Sequence, residues 1–183
     1  MCRMAVESKK RLKRRKNLNI NKFANILDEM ATHNLTFNGY YLSADNLPEE
    51  TGIYLVYTCV NNSSNDKVTL KRLLYIGKSL KTKNTNLRKE VKQHVENGKF
   101  DSYIKSGEQL CFSYAIYDGR SLDVVENGLI LMQSGLINKN LLYSFNHPYS
   151  LPVTFDIKGK CSLLDKTTFK IIKNALTGEV QVL

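Results

Sequence analysis

The sequence predicts a mixed α/β fold of the α+β kind: a small antiparallel β-sheet flanked by helices, with extensions at both ends. Short runs rich in β-branched and aromatic residues, at 52–60, 69–76 and 110–117, alternate with segments whose apolar residues recur every three or four positions. Stretches rich in Asn, Gly, Ser and Asp separate them. The chain has 183 residues, 42% apolar and 24% charged, which is enough for one well-packed domain and short for two. Four segments follow: a basic arm over 1–18, a helix and connector over 19–49, a main domain over 50–145 and an extension over 146–183.

The arm contains the run KKRLKRRK, in which Lys9, Lys10, Arg11, Lys13, Arg14, Arg15 and Lys16 supply seven of the ten net positive charges. Such a run suits a polyanion such as nucleic acid, because each phosphate it neutralises releases a condensed counterion. A solvated arm, a nuclear-import signal and a patch for anionic membranes share the same composition. Cys2, Cys59, Cys111 and Cys161 lie far apart without paired spacing, which argues against a zinc site and for reduced thiols in the cytoplasm. No apolar run has the length of a membrane span, so no membrane partner is expected.

Taken in order, Ile20, Phe23, Ala24, Ile26, Leu27, Met30 and Ala31 mark one face of a helix over 19–33. Asn-Gly and Leu-Pro make 36–50 read as turns or a short hairpin. Residues 52–60 and 69–76 read as two antiparallel strands joined by the polar loop 61–67, with Gly77 interrupting the second. Leu87, Val91, His94 and Val95 mark one face of a helix that ends near Gly98. Residues 110–117 form a third strand, turned by Asp118-Gly119. From Asp123 the sequence VVENGLILMQSG reads as a buried helix whose lone charged interior residue is Glu126. Beyond 141 the chain looks mixed, with a strand at 153–157, a Lys-Gly turn and a weakly amphipathic ending. His33 and His147 read as surface histidines. Tyr40, Tyr41, Tyr143, Phe145 and Tyr149 could stack on unpaired bases, although packing is the simpler role.

Two tripeptides stand out, Gly52-Ile53-Tyr54 on the first strand and Tyr75-Ile76-Gly77 on the second. Lys78-Ser79 follows the latter, the third strand and the segment ENGLI at 126–130 come next, and Asn138 and Asn140 lie beyond that helix. Either tripeptide alone is ordinary strand chemistry. Both, at a hairpin's separation and followed by helix, strand and a helical glutamate, make the chain resemble the GIY-YIG nuclease family over roughly 50–144.

The resemblance implies a GIY-YIG endonuclease-like fold that hydrolyses DNA phosphodiester bonds with one divalent metal, Mg2+ or Mn2+. It implies Tyr54 as general base, Tyr75 as its partner in positioning water and phosphate, and Lys78 as a cation that supports the phosphate or lowers the tyrosine pKa. Glu126 would ligate the metal, as magnesium's preference for one or two carboxylates and several waters allows. His94 would orient water or phosphate, and Asn138 would contact nucleic acid. A salt bridge to a lysine is the structural alternative for Glu126, because an unpaired carboxylate among Val124, Val125, Leu129 and Ile130 is costly to bury.

One position departs from the family pattern. Members usually carry an arginine four residues before a tyrosine or histidine, and alignment on His94 puts Glu90 there. Arg88 is the nearest candidate catalytic cation, but two positions on a helix turn it by about 200°. Lys81, Lys83 or Lys89 could supply the charge instead. Three readings stay open: an enzyme with a substitute cation, Glu90 as an additional metal ligand, and a module that binds DNA without cutting it.

Overall fold

The computed structural model describes residues 32–62, 67–118, 121–138, 152–173, 177 and 179–183. Over these the fold is mixed α/β, a seven-stranded sheet with two α-helices. The strands are β1 (Thr32–Tyr41), β2 (Gly52–Asn62), β3 (Lys67–Ser79), β4 (Gln109–Ile116), β5 (Val153–Gly159), β6 (Thr168–Lys173) and β7 (Val180–Val182). The helices are α1 (Leu87–Glu96), between β3 and β4, and α2 (Leu122–Met132), after β4. The sheet order is β3-β2-β4-β1-β5-β6-β7. All neighbours are antiparallel except β1 and β5.

From β2 to α2 the succession strand, strand, helix, strand, helix is the one read from the sequence. Elsewhere the sheet is larger than expected and not purely antiparallel. Residues 32–41 are a strand, not the end of a helix followed by turns. Its alternation is regular, with His33, Leu35 and Phe37 buried between exposed neighbours, but polar residues dominate the run and mask the pattern. The Asn38-Gly39 pair sits at an irregularity in the β1–β4 register rather than in a hairpin. His33 is buried, not on the surface, with Nδ1 2.8 Å from the Tyr117 hydroxyl. The ending beyond 160 forms strands β6 and β7. The basic arm, most of the 19–33 segment, and Asn140, Tyr143, Phe145, His147 and Tyr149 lie outside the described residues.

β2 is buried on both faces, which is why its sequence is an almost unbroken apolar run. Ile53, Leu55, Tyr57 and Cys59 point into a core shared with α2, Phe155 and Ile171. Tyr54 and Val56 point the other way, into a core shared with Leu87 and Val91 of α1, Phe100 and Phe112. Val95, expected on the apolar face of α1, is exposed. Among the described residues no helix is long and apolar enough to cross a membrane.

Candidate active site

β3 runs through Gly77 to Ser79 without interruption, and the two triplets lie side by side at the open end of the β2–β3 hairpin. Tyr54 is opposite Gly77, and Val56 is opposite Tyr75. The Tyr54 ring lies flat over Gly77: a Cβ there would stand 2.4 Å from Tyr54 Cζ, 2.5 Å from its hydroxyl and 2.6 Å from Tyr75 Cε1. The missing side chain is therefore the space that lets both tyrosines occupy one face. Their rings stack at 5.9 Å between centroids, 22° apart. Gly52, the first glycine, has a comparable reason, because a Cβ there would meet the Ala115 carbonyl of β4.

Tyr54 is 1% exposed, and burial pushes its phenol far up, assisted by Tyr75, Glu90 and Glu126. Burial and the Glu126 charge raise Tyr75 as well, while its hydrogen bond with Tyr54 works in the opposite direction. Both side chains are thus neutral hydroxyl donors near pH 7. In these surroundings Tyr54 is poorly suited to the general-base role that the resemblance implies.

α1 brings further groups to the same face. Asn86 starts the helix, its Oδ1 accepting from Lys89 N at 2.9 Å, and Leu87 and Val91 anchor it in the core. His94 follows one turn after Val91, its ring 5.8 Å from Tyr75 and 6.3 Å from Tyr54. Gly98 then adopts φ +65, a left-handed conformation that ends the helix. Gly98 N donates to Val95 O at 2.9 Å and Lys99 N to His94 O at 3.1 Å, the paired bonds of a Schellman cap. That cap folds Lys99 back onto the last turn. Its Nζ lies 3.0 Å from His94 Nε2 and 4.0 Å from the Tyr75 ring centre.

Glu90 Oε1 is 3.6 Å from the same His94 nitrogen, beyond hydrogen-bond reach, so the Lys99 ammonium is its partner. Burial, and then Lys99, hold the His94 imidazole below its usual range and therefore neutral at pH 7. Burial also lowers Lys99, against the pull of Glu90 and Glu126. Phe100, 1% exposed, supports Tyr75 and His94 edge-on.

Lys78 and Glu126 approach from the other side. Lys78 is opposite Ile53 and so lies on the α2 face, whereas Tyr75 and Gly77 lie on the α1 face. Its Nζ donates to Glu126 Oε2 at 2.7 Å and also pairs with Asp123, one helical turn earlier. Burial opposes the charge on Lys78, but these two bonds hold its ammonium above the usual lysine range. The lysine salt bridge considered for Glu126 is thus present. β3 is the edge strand, and around that edge Glu126 is near enough to act electrostatically on Tyr54, Tyr75 and Lys99.

Among the described residues no group of three or more His, Cys, Asp or Glu could hold a metal, so Glu90, His94 and Glu126 do not form a joint ligand set. Asp123 and Glu126 nevertheless converge on one positive charge, the Lys78 ammonium. Two carboxylates a turn apart fit the modest protein ligation of a magnesium-like ion. Comparisons with known proteins add no neighbour. No family model, no curated protein and no solved structure matches the chain.

Two residues carried as site candidates are turned elsewhere. Arg88 points away from the tyrosines: its Nε donates to Leu47 O at 2.8 Å and its Nη1 pairs with Glu49 at 2.9 Å, which ties α1 to the preceding loop. The 200° rotation relative to Glu90 is the reason. Asn138 is buried and donates from Nδ2 to Ile76 O at 2.7 Å, occupying the outer edge of β3 rather than facing a nucleic acid. Of the substitute cations, Lys81 pairs with Glu50, while Lys83 and Lys89 are exposed. Sequence reasoning missed Lys99. The signal available was Asn97-Gly98 closing α1, since the second residue of such a cap packs beside the third-last helical residue, here His94. Tyr40 packs edge-on against Tyr57, as the packing role required.

Proposed function

We propose that the chain is a metal-dependent endonuclease of the GIY-YIG type, that residues 52–132 carry its fold, and that it hydrolyses DNA phosphodiester bonds in the cytoplasm. The observation that supports this reading is the convergence of both triplet tyrosines, His94 and the Glu126 charge at the open end of one hairpin. The residues fit a bound Mg2+ or Mn2+, which Glu126 would hold with Asp123 beside it, and which would supply charge neutralisation for the developing oxyanion and acidify a bound water. Tyr75, kept neutral, would donate its hydroxyl proton to a phosphate oxygen, and Tyr54, buried behind it, would orient that hydroxyl. His94, neutral at pH 7, would hold the Lys99 ammonium through Nε2 rather than take up a proton. Lys78 would exchange Glu126 for a phosphate oxygen, and the basic arm would hold the flanking backbone.

Incubation of the full chain with plasmid DNA and Mg2+ or Mn2+ tests this. Nicking is expected, and it should be lost in Tyr54→Phe and Glu126→Ala. Intact DNA in the presence of well-folded protein refutes the enzyme. One arrangement favours the second reading, a binding module that no longer cuts: Glu90 stands in the family's arginine position and Glu126 is held by Lys78. That reading expects salt-sensitive retention of uncut DNA.

A further inference from the structure

We propose that Lys99 is a phosphate-binding cation of this site, supplied from beyond the C-terminal end of α1, and that together with the Tyr75 hydroxyl it receives the two free oxygens of a DNA phosphodiester. The inference deepens the nuclease reading and rests on it for the identity of the anion. Arg72, Lys78, Lys81, Arg88 and Lys92 each hold a carboxylate. Lys99 is partly buried, yet among the described residues no carboxylate oxygen lies within ion-pair distance of it. A partly desolvated ammonium that no carboxylate contacts, with Glu90 and Glu126 acting on it only at a distance, is costly, and a bound anion removes that cost.

What Lys99 does touch holds it without neutralising it. One of its three protons goes to His94 Nε2, and its charge sits over the Tyr75 ring at 4.0 Å. At least one donor is left over. The Schellman bonds from Gly98 and Lys99 fix the backbone beneath, so the ammonium is placed before any ligand arrives. Next to it stands the neutral phenol of Tyr75, which accepts the Tyr54 hydrogen bond and keeps its own proton to donate. One cation with one hydroxyl donor matches a phosphodiester, which carries one negative charge over two free oxygens. Glu90 acts on Lys99 electrostatically but makes no ion pair with it, so the position is not already closed by a carboxylate.

The test measures binding apart from cutting. The full chain, Lys99→Met, Lys99→Arg and Glu126→Ala are titrated with a short DNA duplex in EDTA over a range of salt, with circular dichroism and melting as folding controls. Methionine keeps the apolar stem over Tyr75. Lys99→Met is expected to weaken binding several-fold and to reduce the slope of log K against log salt by about 0.9, the loss of one phosphate contact, while Lys99→Arg keeps the slope. A Lys99→Met protein that melts lower but keeps both slope and affinity makes Lys99 only a helix cap and overturns the inference. Full binding with a Lys99-dependent slope but no cleavage in metal sinks the nuclease reading and leaves the inference standing. Cleavage unaffected by Lys99→Met does the reverse, and a chain that neither binds nor cuts ends both.

Discussion

Replacing Gly77 with alanine should displace both triplet tyrosines at once. The new Cβ would stand 2.4 Å from Tyr54 Cζ and 2.6 Å from Tyr75 Cε1, against a comfortable carbon–carbon separation of about 3.5–4.0 Å. Each ring must therefore retreat by about 1 Å, and Tyr54 has no free space, packed as it is with Val56, Val91 and Phe100. Overpacking of this kind costs about 1–3 kcal/mol. Alanine returns about 0.5–1 kcal/mol, because glycine is a poor strand residue. With two rings displaced, the expected balance is a loss of about 2 kcal/mol. For a domain of this size that lowers the melting temperature by about 4–8 °C. The assay is thermal and urea unfolding of Gly77→Ala in two backgrounds, the natural chain and Tyr54→Leu, which removes the ring tip. The second background should recover at least about 1 kcal/mol of the cost. A neutral or stabilising Gly77→Ala, or an equal penalty in both backgrounds, would show that Tyr54 does not lie over Gly77.

Three further outcomes are expected. Arg88→Met should lower stability by about 1 kcal/mol through loss of the charged bond to Leu47 O, with DNA binding and cleavage unchanged in assays well below the melting temperature. A fall in cleavage at unchanged folding would return Arg88 to the site. Lys78→Met should cost about 1–2 kcal/mol by stranding the largely buried Glu126 carboxylate, and Glu126→Gln in that background should recover most of it in urea melts. Because the native His94 pKa lies below its unfolded value of about 6.5, the unfolded chain takes up a proton first as pH falls. Stability from this group is thus present above pH 6.5 and declines below it, so His94→Gln should narrow the stability difference between pH 7.5 and 5.5. A difference as wide as that of the natural chain would remove His94 from the buried cluster.

Legibility in the sequence followed the range of the interaction. The strands read at 52–60 and 69–76 and both α-helices were readable, because each carries its own period or an apolar run and Gly98 marks the end of α1, although the two strands extend to 52–62 and 67–79. The rotation of Arg88 away from Glu90 follows from helical geometry alone and holds. β1 was not readable, since only three apolar or aromatic positions in THNLTFN face the core and its partners β4 and β5 are distant in the chain. Gly77 was misread as a strand breaker because its reason lies on the neighbouring strand.

By itself the sequence determined which residue types were at hand: two phenols, a helical histidine, a helical acid and a concentrated positive arm. It also determined which of them share an element and a face, because a strand repeats every two residues and a helix every 3.6. Only the tertiary structure decided who meets whom. Cross-strand register set Tyr54 over Gly77, edge position let Glu126 on the opposite face act on both phenols, and a left-handed cap swung Lys99 onto His94. Such pairings arise from the sheet's register and the sign of a single φ angle, quantities that a local pattern of residues does not carry.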